Sequence, residues 1–182
     1  MTAGAAQRRA GRHKFRSALG VALAVFALDR TTKAVVSSRL DLRDAVPVID
    51  GFLNIVHARN PGAAFSFLAD APAWFRGPFF VCVTVGAIIA VLYVVARLPP
   101  QDRLMRAALG GVLGGALGNL FDRLAYGEVV DFIDVYWRTH HWPAFNVADS
   151  SITVAVVAIL AHTLLSEPPD ASAAHPRGAP RP

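Results

Sequence analysis

Four long apolar stretches alternate with polar connectors along the chain. The first runs from Ser17 to Leu28 and continues past Asp29, Arg30 and Lys33 to Val36. The second, Trp74 to Ala96, is almost unbroken. The third, Ala107 to Phe121, is rich in glycine and carries Asn119, and the fourth runs from Ser151 to Leu165. Crossing a bilayer core takes about 20 residues. Only the second stretch reaches that length alone; the others reach it by taking in polar residues at their ends. The pattern therefore predicts four membrane-spanning helices over about 17–36, 74–96, 104–125 and 149–165. A soluble bundle of four buried helices would need more polar covering than this chain has left over.

The connectors are of two kinds. Between the first two spans, Val46 to Ala58 holds two β-prone runs around Asp50-Gly51, a favoured hairpin dipeptide, and Asn60-Pro-Gly starts a further turn. A small sheet is expected there, at the membrane surface. It reads either as a structured connector or as a platform that docks an extended peptide or lipid by strand addition. The segment from Leu124 to Ala148 gathers Tyr136, Trp137 and Trp142, as expected of aromatic residues at a membrane interface. Residues 1–16 form a basic N-terminus, and residues 167–182 are rich in Pro, Ala and charge and read as disordered.

Composition agrees with a membrane protein. Hydrophobic residues make up 54% of the 182 and charged residues 17%, against about 25% charge in ordinary globular chains. Mean hydropathy is +0.41. These values argue against a disordered chain and against a water-soluble enzyme. A single cysteine excludes an intramolecular disulfide framework and a Cys-rich zinc module. The net charge of +5 would suit nucleic acid, but its placement does not. Ten of the 18 Lys and Arg fall before the first span, between the second and third, or after the fourth. The positive-inside rule then puts both termini in the cytoplasm and segments 37–75 and 124–148 outside. The N-terminus resembles a signal peptide, yet no small-x-small site followed by a polar start is present, so the first span is expected to be retained.

Candidate chemistry lies in the acids. An ionisable group within a span costs about 2.5–3.5 kcal/mol on insertion scales and usually faces a cavity or a partner. Asp29, Asp122, Asp131, Asp134 and Asp149 all lie at the outer ends of the spans. Asp29 and Lys33, four apart on one helix face, either form an internal salt bridge or aim the lysine into a polar site. Gly111, Gly115 and Gly118 recur at helical spacing and allow close approach. Asp122 next to Arg123 reads as a structural ion pair. Asp149 can cap the fourth helix, unless Asn146 caps it and frees Asp149. Adjacent His140 and His141 make a poor zinc site, Cys82 reads as packing, and neither a GxSxG elbow nor a Walker A loop occurs. What remains is a set of carboxylates converging on one membrane face. Two of them sharing a proton could activate water against an amide. A transporter or proton-conducting subunit would need a relay across the bilayer, and His162, Thr84 and Thr153 make a thin one. An assembly factor without activity is the other alternative.

Five segments together resemble the lipoprotein signal peptidase (signal peptidase II) family: Asp29-Arg-Thr-Thr-Lys33, Asn60-Pro-Gly-Ala-Ala-Phe65, Gly114-Gly-Ala-Leu-Gly-Asn-Leu-Phe-Asp-Arg123, Val129-Val-Asp-Phe132 and Phe145-Asn-Val-Ala-Asp-Ser-Ser-Ile152. They occur in the family's order between Asp29 and Ile152, without a departure inside any motif. The resemblance implies an all-α integral membrane protein of four spans with a small periplasmic β-sheet, or cradle, between the first and second. It implies a bacterial inner-membrane aspartic endopeptidase with its site at the periplasmic face. Such an enzyme removes signal peptides from diacylglyceryl-modified prolipoproteins by cutting before the lipobox cysteine. The family's catalytic pair maps to Asp131 and Asp149. Asp29, Lys33, Asn60, Gly62, Asn119, Asp122, Arg123 and Asn146 map to positions that shape or support the site. Membrane lipid and the inhibitor globomycin are implied partners; no metal, cofactor or nucleic acid is.

Overall fold

The computed structural model describes residues 3–62, 68, 71–99 and 101–165, with side chains from residue 15 onward. The tail at 167–182 and much of the Asn60–Phe65 motif lie outside the described residues. Among the described residues four helices form: α1 (Ala3–Arg39), α2 (Ala73–Arg97), α3 (Arg103–Tyr126) and α4 (Val147–Leu165). They contain the four expected stretches. α1 begins well before Ser17, so the basic N-terminal run is helical from Ala3 onward. Among the described residues, α2, α3 and α4 are long and apolar enough to cross a membrane. α1 is as long, but it carries Asp29, Arg30 and Lys33 close together.

Helix ends follow local chemistry. Asp102 caps α3 by accepting the Met105 N–H at 3.0 Å. Gly127, at φ +76°, ends α3 in the left-handed region and returns its N–H to Arg123 O. α3 is the hub, packed against all three other helices. Small residues make this closeness possible on two faces. A Cβ on Gly110 or Gly114 would stand 2.5 Å from the Ala18 or Ala22 carbonyl of α1. One on Gly115 would stand 2.5 Å from the Ala148 carbonyl of α4. The spacing of Gly111, Gly115 and Gly118 thus reports only part of the packing; Gly110 and Gly114 form a second stripe. Cys82 does not pack inside the bundle: it is exposed on α2.

The expected hairpin forms β1 (Ala45–Ile49) and β2 (Leu53–Asn60), turning at Gly51 with φ +78°. The sheet is not confined to this segment, however. β3 (Val129–Trp137) and β4 (His140–His141), from the connector after α3, complete an antiparallel order β1-β2-β3-β4. The run Val129-Val-Asp-Phe-Ile-Asp-Val-Tyr-Trp137 is rich in β-branched and aromatic residues, which is the signal for this strand. Tyr136 is more than an interfacial aromatic: its hydroxyl accepts the Gly51 N–H at 2.9 Å and ties β3 to the hairpin turn. His57, which no motif singled out, is buried on β2 and bonds Leu40 O through Nδ1 at 2.9 Å, fastening α1 to the sheet.

Candidate active site

The two acids of interest come from different elements, brought together by backbone pairing. Asp131 lies on β3, opposite Ala58 of β2. Phe145 folds back on β3, giving its carbonyl to the N–H groups of Phe132 (3.0 Å) and Ile133 (2.8 Å) and its own N–H to Ile133 O. That contact delivers Asn146 and the start of α4 beside Asp131. Asn146 caps α4: its Oδ1 accepts the Asp149 N–H at 3.0 Å. Asp149 Oδ2 answers by accepting the Asn146 N–H at 3.2 Å. The pair forms a reciprocal capping box. Asn146 therefore caps the helix, and Asp149 shares in the cap without being consumed by it.

Asn146 also joins the two acids. Its Nδ2 donates to Asp131 Oδ1 at 2.7 Å, while its backbone N–H serves Asp149. Asn60, at the end of β2, donates to Asp131 Oδ2 at 3.0 Å. Asn119, on α3, donates to Asp149 Oδ1 at 2.8 Å. Each carboxylate thus receives a donor on each oxygen, and each keeps lone pairs free for a further partner. Both line a cavity of about 490 Å³, together with Asn60, Asn119, Arg123 and the Trp142–Phe145 segment. Val129, Ile152 and Val154 add apolar lining. Burial, first, and the nearby Asp149 charge, second, push the Asp131 carboxyl up to about 7; the amide donors and Lys33 oppose this without cancelling it.

Behind the pair lies a second charged cluster. Lys33 is fully buried and reaches Asp29 Oδ2 and Asp122 Oδ2, each at 2.9 Å, and Asn119 Oδ1, also at 2.9 Å. The i,i+4 salt bridge forms, and the lysine is aimed into a polar site as well; the two alternatives coexist. Asp122 pairs with Arg30 and with Lys33 and accepts the Val130 N–H at 3.2 Å. The expected Asp122–Arg123 pair is not among its contacts, because adjacent residues on a helix point about 100° apart. Arg123 turns toward the cavity, donating to Gly62 O at 3.4 Å and lying 5.2 Å from the Phe80 ring centre. Arg30 was not expected to matter. Its signal is spacing: it stands three residues before Lys33, on a neighbouring part of the same face. Asp29 Oδ1 accepts the Ala148 N–H at 3.0 Å and so fixes the start of α4. Asp134 is not part of either cluster; it faces Asn54 and His141 further along β3. Among the described residues no group of His, Cys, Asp and Glu is arranged to hold a metal ion.

The model of the family described as Signal peptidase (SPase) II matches residues 21–165. The chain is 49% identical over 147 residues to the lipoprotein signal peptidase of Geobacter sulfurreducens, covering 81% of this chain and 90% of that one. It is 50% identical over 133 residues to that of Syntrophus aciditrophicus, covering 73% and 83%. Two solved structures of a bacterial membrane enzyme superpose on it with TM-scores of 0.70 and 0.72, at 32% and 33% identity. They cover 90% and 82% of this chain, and 94% of each structure is matched.

Proposed function

The chain belongs to the signal peptidase II family, and from that premise we propose that Asp131 and Asp149 are the dyad with which it cleaves signal peptides from prolipoproteins. The observation that carries this reading is the shared Asn146, which donates to one carboxylate by its side chain and to the other by its backbone. Two carboxyls held this close cannot easily both be charged, so the pair holds one proton between them. The ionised member takes a proton from water as the water attacks the scissile carbonyl. The protonated member donates to the carbonyl oxygen, and later proton transfer to the amine releases the signal peptide. Arg123, at the cavity wall, adds a fixed positive charge near the developing oxyanion.

The remaining residues support this centre. Asn60, Asn119 and Asn146 hold the carboxylates, Gly62 helps to orient Asn60, and Asp29, Lys33 and Asp122 anchor the helices that carry them. The substrate bears diacylglycerol on the lipobox cysteine, with its chains against the apolar lining and its peptide along the sheet. All four helices span the inner membrane in this reading. Mutual neutralisation of Asp29, Lys33, Asp122 and Arg30 offsets the cost of placing them in α1 and α3. Both termini are then cytoplasmic and the dyad is periplasmic, residues 17–166 form the peptidase domain, and globomycin is the inhibitor to use.

The test is single-turnover cleavage of a diacylglyceryl-prolipoprotein by purified, folded variants. Asp131→Asn and Asp149→Asn are expected to abolish release of the signal peptide, since an amide can neither take up nor donate the required proton. Full cleavage by either folded variant would overturn the dyad. Reporter fusions at Gly51 and His140 check the orientation; cytoplasmic behaviour at either would overturn it.

A further inference from the structure

The three asparagines around the dyad share one feature. A side-chain amide has a donor end and an acceptor end of nearly the same shape, and its neighbours decide which way it faces. At Asn60 the Gly62 N–H occupies Oδ1 at 3.0 Å, so Nδ2 must face Asp131. At Asn146 the Asp149 N–H occupies Oδ1 at 3.0 Å, so Nδ2 must again face Asp131. Both orienting groups are backbone. At Asn119 the orienting group includes a side chain: Lys33 Nζ, at 2.9 Å from Oδ1. Asn146 Nδ2 adds a longer contact to the same oxygen at 3.2 Å, but its shorter bond goes to Asp131.

We propose that Lys33 is a positioning residue for peptide cleavage, acting through Asn119: an ammonium can only donate, so it holds the Asn119 oxygen and thereby turns the amide N–H toward Asp149. This inference rests on the dyad reading above. An N–H facing Asp149 stabilises its carboxylate. A flipped amide would present a carbonyl, which repels a carboxylate and accepts a bond from a carboxylic acid. Loss of the orienting ammonium therefore makes the negatively charged dyad harder to reach, and activity at low pH suffers most. The charges facing this region are Asp131 from β3, Arg123 and Asp122 from α3, and Asp29, Arg30 and Lys33 from α1. Lys33 thus acts on Asp149 also as a simple positive charge, and the experiment must separate that effect from amide orientation.

The separation comes from a double-variant cycle on the full-length enzyme, read as the pH profile of kcat/KM on a lipidated prolipoprotein. Asn119→Leu removes the donor but keeps the lysine paired with both aspartates. Its acid limb is expected to move up by about one pH unit, as for loss of one hydrogen bond to a charged group. Lys33→Met is expected to move the limb by a similar amount in the wild-type background and to add little in the Asn119→Leu background. Because Lys33→Met strands Asp29, the profile is also taken for Lys33→Met/Asp29→Asn, which removes both charges of the pair and is expected to show the same shift. An acid limb left in place in folded Asn119→Leu, or in the folded double variant, overturns the proposal. So does an equal Lys33→Met shift in both backgrounds, which would mean the charge acts directly. Cleavage by Asp149→Asn would instead refute the dyad itself, so the two failures are distinguishable.

Discussion

Gly118→Ala is the smallest change expected to damage the site without removing a titratable group. The added Cβ would lie 2.5 Å from Asp29 Oδ2 and 3.0 Å from its Cγ. Asp29 cannot swing away cheaply. It is fully buried, and its two oxygens are committed to Lys33 Nζ at 2.9 Å and to the Ala148 N–H at 3.0 Å. Either α1 and α3 must separate or one of these bonds must break. Overpacking costs about 1–3 kcal/mol, and a hydrogen bond to a charged group is worth about 1.5–3 kcal/mol. Against this, Ala gains about 1 kcal/mol over Gly in a helix interior. Gly86→Ala in α2 isolates that gain, because a Cβ there meets nothing within 4 Å. Relative to Gly86→Ala, Gly118→Ala is expected to be less stable by about 3 kcal/mol when strain and bond loss combine. It should also be slower, since Asp29 positions the first turn of α4, which bears Asp149. Thermal unfolding in detergent and single-turnover cleavage measure the two effects. Equal stability and equal rates for the two variants would refute the reasoning.

The helices were legible because their signal is local. Each needs only a long apolar run, and all four such runs fall inside helices of the structure. The Asp50-Gly51 turn was legible for the same reason. The sheet's extent was not, since β3 finds its partner about 70–80 residues away and no local pattern specifies that pairing. The site divides similarly. The Asp29–Lys33 pair follows from helix periodicity, and Asn146 as an alternative cap follows from spacing. That Asp122 pairs with Arg30 and Lys33 rather than with its neighbour required the crossing of α1 and α3. So did the second glycine stripe, which only has meaning once α1 lies against it. Motif resemblance pointed to Asn60, Asn119 and Asn146 without saying what they do. Their amide orientations depend on Gly62, Lys33 and Asp149, and only the three-dimensional arrangement sets those.

Four further outcomes are expected. With the Asp131 carboxyl pushed up to about 7, kcat/KM should fall as pH rises through that region and the dyad loses its proton; a profile flat to about pH 9 would contradict it. The sign for stability is the same: the folded state holds a proton that the unfolded chain, with a carboxyl near 3.9, has already released, so stability should decline between about pH 4 and pH 7. An unlipidated prolipoprotein should be cut poorly, because buried acyl chain contributes about 0.8 kcal/mol per CH₂; equal cleavage of both forms would reject lipid-based recognition. The last outcome separates support from chemistry at Asp122. Its carboxylate bridges Arg30 of α1, Lys33 of α1 and the Val130 N–H of β3, and it is fully buried. Asp122→Asn keeps the shape but removes the charge that balances two cations, and breaking a buried pair costs about 3–5 kcal/mol. Stability and yield should therefore fall sharply. The chemical step should survive in the folded fraction, because Asp122 is not among the residues that line the cavity and its bonds go to Arg30, Lys33 and the Val130 N–H. Single-turnover rates normalised to folded enzyme decide the matter: a stable Asp122→Asn protein that binds substrate but does not cut it would place Asp122 in the chemistry and reopen the choice of dyad.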